Sequence, residues 1–286
     1  MAHTIVKRVG GKTKLRKWIS GLLPAHTIYV EPFGGSFAIG FALPKTNKSK
    51  YRKVYNDLDG HVVNFFRVLR DQPEELISKI ELTPYSREEF EDAVSYIDNE
   101  DKPWENDNPV EWARRYLIFN RQSMFGKETG SWCISLHGEN ISMTWATLPD
   151  SIRETAILFK EAYVERLDYR KVLKKWDSPE ACFYLDPPYL DVEKDFYHVN
   201  KNEGFDHVAM RDAVSDIKGS WAISYYDSPE IRDLYKDLDC KFYCKTVKKH
   251  MQTADKKDSE IEILIVHYSD WSKEKSDNEL EFDSYI

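Results

Sequence analysis

Thr27-Ile28-Tyr29-Val30-Glu31-Pro32-Phe33-Gly34-Gly35-Ser36 is a short apolar run that stops at a proline and opens into a glycine turn. Its β-branched and aromatic residues suit a buried strand over Thr27–Glu31. The apolar stretch that follows, to about Leu43, suits a helix. Lys53–Asn56 reads as a second short strand ending at Asp57. Beyond it, Val62, Phe65, Phe66 and Leu69 recur at helical spacing over His61–Arg70. Strand, helix and strand in alternation predict an α/β fold with a parallel sheet.

From about Asp71 to Trp145 the rhythm changes. Helices are expected at Arg87–Ile97 and Val110–Phe119, with a glycine-punctuated, β-capable segment at Gly126–Trp145 that suits a hairpin. The α/β pattern then returns. Strands are predicted at Tyr163–Leu167, Ala181–Leu185, Trp221–Tyr225, Lys241–Val247 and Glu262–His267, with helices at Val208–Ile217 and Glu230–Leu238. A polar loop with no helix separates the last two strands, so they should pair as an antiparallel hairpin. The expected organisation is an α/β domain in two parts, 1–62 and 151–286, split by an inserted module at 63–150.

Asp186-Pro187-Pro188-Tyr189 follows the Ala181–Leu185 strand. Two prolines restrict the backbone and donate no N–H, so their carbonyls and the Asp186 carboxylate make an acceptor-rich rim beside an aromatic face. Such a rim suits a planar base carrying an exocyclic amine, although Asp and Pro are also ordinary turn residues. Gly34 and Gly35 allow close approach of backbone to a ligand, and Asp57 stands 22 residues beyond Gly35. That spacing suits an acid that hydrogen-bonds ribose hydroxyls in doubly wound folds. A glycine pair alone can simply connect two elements. Turn, acid and acceptor rim together, all at strand carboxyl ends, point to a nucleoside-bearing ligand.

The chain has 286 residues, 14% of them aromatic, and a formal net charge of −8. The charge is unevenly spread. Residues 71–111 hold 14 acids and 3 bases, and 270–286 hold 6 acids and 2 bases, which leaves +7 on the remainder. A polyanion docks on local fields, so the total does not exclude nucleic acid. Basic residues cluster at the N-terminus (Lys7, Arg8, Lys12, Lys14, Arg16, Lys17), in the insert (Arg114, Arg115, Arg121, Lys127) and along the last hairpin (Lys241, Lys245, Lys248, Lys249, Lys256, Lys257). Each could be simple solvation, but three clusters flanking one cleft suit phosphate tracking. The four cysteines are too irregular for a disulfide framework, and Cys240 and Cys244 are expected as buried small hydrophobes. The absence of membrane-length apolar runs and of a signal pattern leads to the expectation of a soluble, cytoplasmic protein.

Taken in order, these motifs resemble the Dam-type DNA adenine-N6 methyltransferases of the D12 class and alpha motif order. Lys7-Arg8-Val9-Gly10-Gly11-Lys12 is similar to that family's N-terminal cofactor motif, and Val30–Gly35 to the start of its Phe-x-Gly-x-Gly motif. Asn56-Asp57 matches the ribose-side acid, Asp186–Tyr189 the catalytic motif, and Asn120-Arg121 the start of the target-recognition hairpin. The resemblance implies a Rossmann-like, seven-stranded class I methyltransferase sheet with a terminal antiparallel hairpin. It also implies a mostly helical inserted target-recognition domain. S-adenosylmethionine contacts are implied at Arg8, Lys12, Phe33, Gly35, Asp57, Asp168 and Asp186, with no metal. Asp186, Pro187, Pro188 and Tyr189 are the implied catalytic set. Lys7, Asn120, Arg121, Lys127 and Tyr197 are expected to meet double-stranded DNA in a bacterial or phage-infected cell. A monomer or weak dimer is expected.

Two positions depart from the family pattern. Arg8 replaces an aromatic, so a cofactor contact there is expected through its backbone. Phe37 stands where the second glycine belongs, which is expected to shift the turn. The implied reaction moves a methyl group from the sulfonium to N6 of an adenine swung out of the duplex. Flipping costs a few kcal/mol, and stacking on Tyr189 would return roughly 1–3 kcal/mol. Phe196 or Tyr197 is expected either to close over the base or to pack the loop. Asn120, Arg121 and Lys127 suit bidentate base contacts, with backbone contact or helix packing as their alternative. The rival readings are N4-cytosine methylation, RNA or protein-glutamine methylation, and a catalytically inactive DNA-binding relative, the last kept open by Phe37.

Overall fold

The structure is a computed structural model that describes residues 4–8, 10–44, 49–98, 107–124, 131–134, 140–190, 204–248 and 259–270. Its strands in chain order are β1 (Ile28–Glu31), β2 (Arg52–Asn56), β3 (Tyr163–Glu165), β4 (Ala181–Leu185), β5 (Ser220–Tyr226), β6 (Lys241–Lys248) and β7 (Ser259–His267). They form one seven-stranded sheet in the order β3-β2-β1-β4-β5-β7-β6. This is the expected α/β class with the expected seven strands, a mixed sheet with an antiparallel pair at one edge. The described residues group into two compact units. One draws its described residues from 1–16, 34–48 and 52–167, the other from 17–33, 49–51 and 168–286.

In the second unit, β1 runs parallel to β4 with Tyr29 beside Cys182 and Val30 beside Phe183, and β4 runs parallel to β5 with Leu185 beside Ile223. All five residues of β4 are buried. An uninterrupted apolar strand, rather than an alternating one, is what a sheet covered on both faces requires. β7 turns antiparallel against β5 and against β6, so the predicted terminal hairpin is present.

In the first unit, β2 runs parallel to β3, with Asn56 beside Glu165. Helices α1 (Arg16–Leu22), α2 (Ala38–Ala42), α3 (Gly60–Asp71), α4 (Pro73–Glu81), α5 (Arg87–Asp98), α6 (Pro109–Gln122), α7 (Ile141–Ala146) and α8 (Leu148–Phe159) lie in the first 160 residues. Their starts are chemically marked. The Asp59 carboxylate accepts the His61 N–H at the head of α3, and Pro73 opens α4 at a position where no N–H is needed. Asn108 accepts from Glu111 N at the head of α6. The core includes a knot of rings from Phe37, Phe41, Tyr55, Phe66 and Phe159, with centroids 4.3–6.5 Å apart.

Beyond α8 come α9 (Tyr169–Trp176), α10 (His207–Ser215) and α11 (Pro229–Tyr235). Asp168, Asp206 and Ser228 cap them through Arg170 N, Ala209 N and Ile231 N.

Two expectations are corrected. The β-capable segment 126–145 ends in a helix, because Asn140 caps Ser142 N and starts α7. Within the rest of that segment, the described pairing is one antiparallel bridge, Ser123 with Trp132, next to the Met124 N to Ser131 O and Cys133 N to Gln122 O bonds. Cys244 is exposed and Cys240 half-buried, where both were expected to be buried, and the Cys244 sulfur accepts from Arg232 Nη2 at 3.2 Å.

Candidate active site

The glycine turn is braced from the last residues of β2 and the one after it. Gly34 N donates to Asn56 O at 2.7 Å, Gly35 O accepts the Tyr55 hydroxyl at 3.1 Å, and Gly35 N donates to Asp57 Oδ2 at 2.8 Å. A Cβ on Gly34 would lie 2.4 Å from the Tyr55 ring and 2.8 Å from Asn56 O, so only glycine fits between turn and strand. Gly35 has a different reason for its identity. Its φ is +46°, and a Cβ there would meet only Arg8 Cγ, at 3.8 Å. One position is glycine through crowding, the other through backbone sign.

Phe37 explains the departure from the family's second glycine. It adopts φ 56° and ψ 32°, the left-handed conformation that glycine normally supplies. Its N–H donates to Gly34 O at 2.7 Å, and its ring is 1% exposed among Phe41, Tyr55, Phe66 and Phe159. The turn keeps a left-handed residue there, and the ring is drawn into the core instead of the open side of Gly35.

Asp57 has one oxygen on Gly35 N and the other on Asp59 N at 2.9 Å. A carboxylate has about four lone-pair directions, so these two backbone bonds leave acceptor capacity for hydroxyls. Burial pushes the Asp57 carboxyl up against the pull of Arg8, and the charge of Asp59 adds to the rise. For Asp59 itself burial is outweighed by Arg8, whose Nη2 donates to Asp59 Oδ2, and the carboxyl is held below its usual range. Arg8 therefore has a side-chain role that its replacement of an aromatic did not suggest: it neutralises Asp59 beside the glycine turn. Lys12 is buried, and its ammonium donates to Gly10 O at 2.8 Å, closing the turn that begins with Gly11 N on Arg8 O.

Within the second unit, Asp186 follows the last residue of β4 and is partly exposed, while Pro187 is buried and Pro188 half-buried. Tyr189 is 7% exposed, and its hydroxyl donates to Glu262 Oε1 at 2.6 Å. Its ring lies edge-on to Tyr226 at 4.8 Å and tilted against Tyr225 at 5.6 Å. The open stacking platform expected of Tyr189 is therefore a buried, anchored ring with little free face. Phe33 packs with Tyr169 at 5.4 Å and Phe205 at 5.6 Å, which makes an aromatic wall after the carboxyl end of β1. Asp168 caps α9 and pairs with Arg170 at 2.9 Å.

The expected DNA contacts fall into three groups. Asn120, expected to read bases, is 3% exposed; its Oδ1 accepts Lys7 N at 2.7 Å and its Nδ2 donates to Lys7 O at 2.8 Å. Both ends of the amide are used to pin the N-terminal segment to α6, and burial removes it from base reading. Lys7 and Arg121 lie close together, with Lys7 Nζ on Arg121 O and Arg121 Nη1 on Ile5 O, each at 3.4 Å. Burial lowers both pKa values, and the Arg121 charge lowers Lys7 further. Lys127, Phe196 and Tyr197 lie outside the described residues. Asp59, Tyr55 and Glu262 were missed by sequence reading. Glu262 had a legible sign, a lone inward acid in the apolar run Glu262-Ile263-Leu264-Ile265-Val266.

Among the described residues no cluster of His, Cys, Asp or Glu could hold a metal ion, and no helix is long and apolar enough to cross a membrane. The chain is 25% identical over 283 residues to a Lactococcus lactis subsp. cremoris protein described as "Type II methyltransferase M1.LlaDCHI", an alignment covering 92% of this chain and 94% of that protein. The family described as "D12 class N6 adenine-specific DNA methyltransferase" matches residues 9–254, which hold the glycine turn, Asp57 and the Asp186–Tyr189 motif. By that match this chain belongs to the D12 class N6 adenine-specific DNA methyltransferase family.

Proposed function

We propose that this chain transfers a methyl group from S-adenosylmethionine to N6 of an adenine swung out of duplex DNA. The observation that carries the reading is the braced glycine turn. Gly35 is open and Asp57 is fixed with acceptor capacity to spare, a combination that fits a nucleoside. Gly35, Asp57 and Phe33 would hold the cofactor, Lys12 would shape the turn, and Asp168 would stand near the adenine end. The cofactor supplies an electrophilic methyl group on a sulfonium; as the N–C bond forms the S–C bond breaks, S-adenosyl-L-homocysteine leaves, and the amine loses one proton after transfer.

The chain's own residues handle the amine. The exocyclic nitrogen is a poor nucleophile because its lone pair is delocalised into the ring. Its two N–H groups would donate to the Asp186 carboxylate and the Pro187 carbonyl, favouring a pyramidal nitrogen with its lone pair directed outward. Catalysis is then mainly positioning and electrostatic support, and Asp186 need not be a strong base. Pro188 keeps the rim rigid, and the anchored Tyr189 forms its wall. Lys7 and Arg121, two crowded cations, suit a phosphate, whose charge would relieve their mutual repulsion.

The test is methyl transfer from tritiated S-adenosylmethionine to unmethylated plasmid DNA, followed by analysis of the labelled nucleoside. N6-methyl-2′-deoxyadenosine is the expected product. Label in N4-methyl-2′-deoxycytidine would refute adenine as target, and no label would favour the inactive DNA-binding relative. Asp186→Ala should abolish transfer and leave DNA binding detectable.

A further inference from the structure

We infer that Glu262 is a positioning residue for methyl transfer, acting through the hydroxyl of Tyr189. The inference rests on the reading of Asp186–Tyr189 as the place where the target amine is held. Glu262 lies on β7, opposite Tyr226 of β5 and Lys245 of β6. The next four residues, Ile263 to Val266, are fully buried, and Glu262 is 3% exposed. A carboxylate so placed is costly unless its oxygens are bonded. Oε1 accepts the Tyr189 hydroxyl at 2.6 Å, a short charge-assisted bond.

The Tyr189 end of this bond is a donor. Burial pushes its pKa well above the usual tyrosine value, and the charges of Asp186 and Glu262 add to the rise, so the phenol keeps its proton. Pro187 and Pro188 remove two backbone donors from the loop, so its placement leans on side chains. Tyr189 stands three residues beyond Asp186. Tying its far end to β7 limits how far the Asp186 carboxylate and the Pro187 carbonyl drift from the amine. A shift of about 1 Å at such a site can cost about a hundredfold in rate.

The experiment uses the full chain, tritiated S-adenosylmethionine and unmethylated plasmid DNA. It measures kcat, KM for DNA, cofactor affinity by calorimetry and the unfolding midpoint. The variants are Tyr189→Phe, Glu262→Leu, Glu262→Gln and the Tyr189→Phe/Glu262→Leu double. Wild-type transfer to adenine that is abolished in Asp186→Ala establishes the underlying reading, and failure of either overturns both.

With an active wild type, Tyr189→Phe and Glu262→Leu should each lose about tenfold to a hundredfold in kcat while cofactor affinity stays unchanged. Glu262→Gln should recover most of the rate, because its carbonyl oxygen still accepts. The double variant should be no slower than the slower single, since both delete one bond. Additive losses, or an unchanged kcat in Tyr189→Phe, overturn the inference and leave the function standing. So does a fall in cofactor affinity and midpoint that matches the fall in kcat. If Glu262→Leu is not recovered folded, Tyr189→Phe decides. An unchanged kcat overturns the inference; a loss that Glu262→Gln in the same background does not deepen supports it.

Discussion

Phe37 offers an unusual stability test, because its backbone wants glycine and its side chain wants the core. Truncating its ring to alanine leaves a cavity among Phe41, Tyr55, Phe66 and Phe159 and should cost about 3–5 kcal/mol. Glycine leaves nearly the same cavity. It also escapes the left-handed penalty of roughly 1–2 kcal/mol that alanine still bears at φ 56°. Against that, glycine loosens the unfolded chain by about 0.4–1 kcal/mol. The balance makes Phe37→Gly more stable than Phe37→Ala by about 0.5–1 kcal/mol, with both below wild type. In urea, where slopes run about 1–3 kcal/mol per molar, the two midpoints should differ by roughly 0.2–1 M. Alanine equal to or above glycine would refute the strain argument. Calorimetry with S-adenosylmethionine on the folded variants adds a second check. The ring is not among the atoms within 4 Å of a Cβ on Gly35, so affinity should hold at its wild-type value. Tighter binding in Phe37→Ala would mean that the ring obstructs the turn, and would revive the inactive reading.

Three further expectations follow from the geometry. Gly34→Ala should force Tyr55 or the Asn56 carbonyl to move, cost about 1–3 kcal/mol in stability and weaken cofactor binding; unchanged calorimetric affinity would contradict the close fit. Asn120→Ala should lower stability by about 1–3 kcal/mol through the two lost bonds to Lys7, yet leave the methylated sequence unchanged in methylation-sensitive sequencing. The Glu111 carboxyl is pushed up by burial, but Arg114, Arg115 and Lys79 outweigh this and bring it down to about 2. Its folded pKa is depressed, so its contribution is present above the ordinary carboxyl range and is lost as pH falls toward about 2; Glu111→Gln should flatten that part of the acid-unfolding curve.

Much of the fold was legible in one dimension. Ala181–Leu185 matched β4 residue for residue, and the other six strands lay within three residues of their predicted ends. Buried parallel strands and amphipathic helices write local, periodic patterns, which need no partner to be read. Segment 126–145 was misread in part because glycine punctuation suits hairpins, while Asn140 had the local chemistry to start a helix.

The chemistry divides along the same line. Residue order alone determined the motifs: the glycine turn, the acid 22 residues on, and the aspartate, prolines and tyrosine after a buried strand. Those features depend on contiguous backbone. Tertiary structure decided what each side chain meets. It joined Arg8 to Asp59 across 51 positions, Asn120 to Lys7 across 113 and Tyr189 to Glu262 across 73. Hydrogen bonds over such separations leave no periodic trace in a single chain. They turned an expected base reader into a buried clamp and an expected stacking face into an anchored wall.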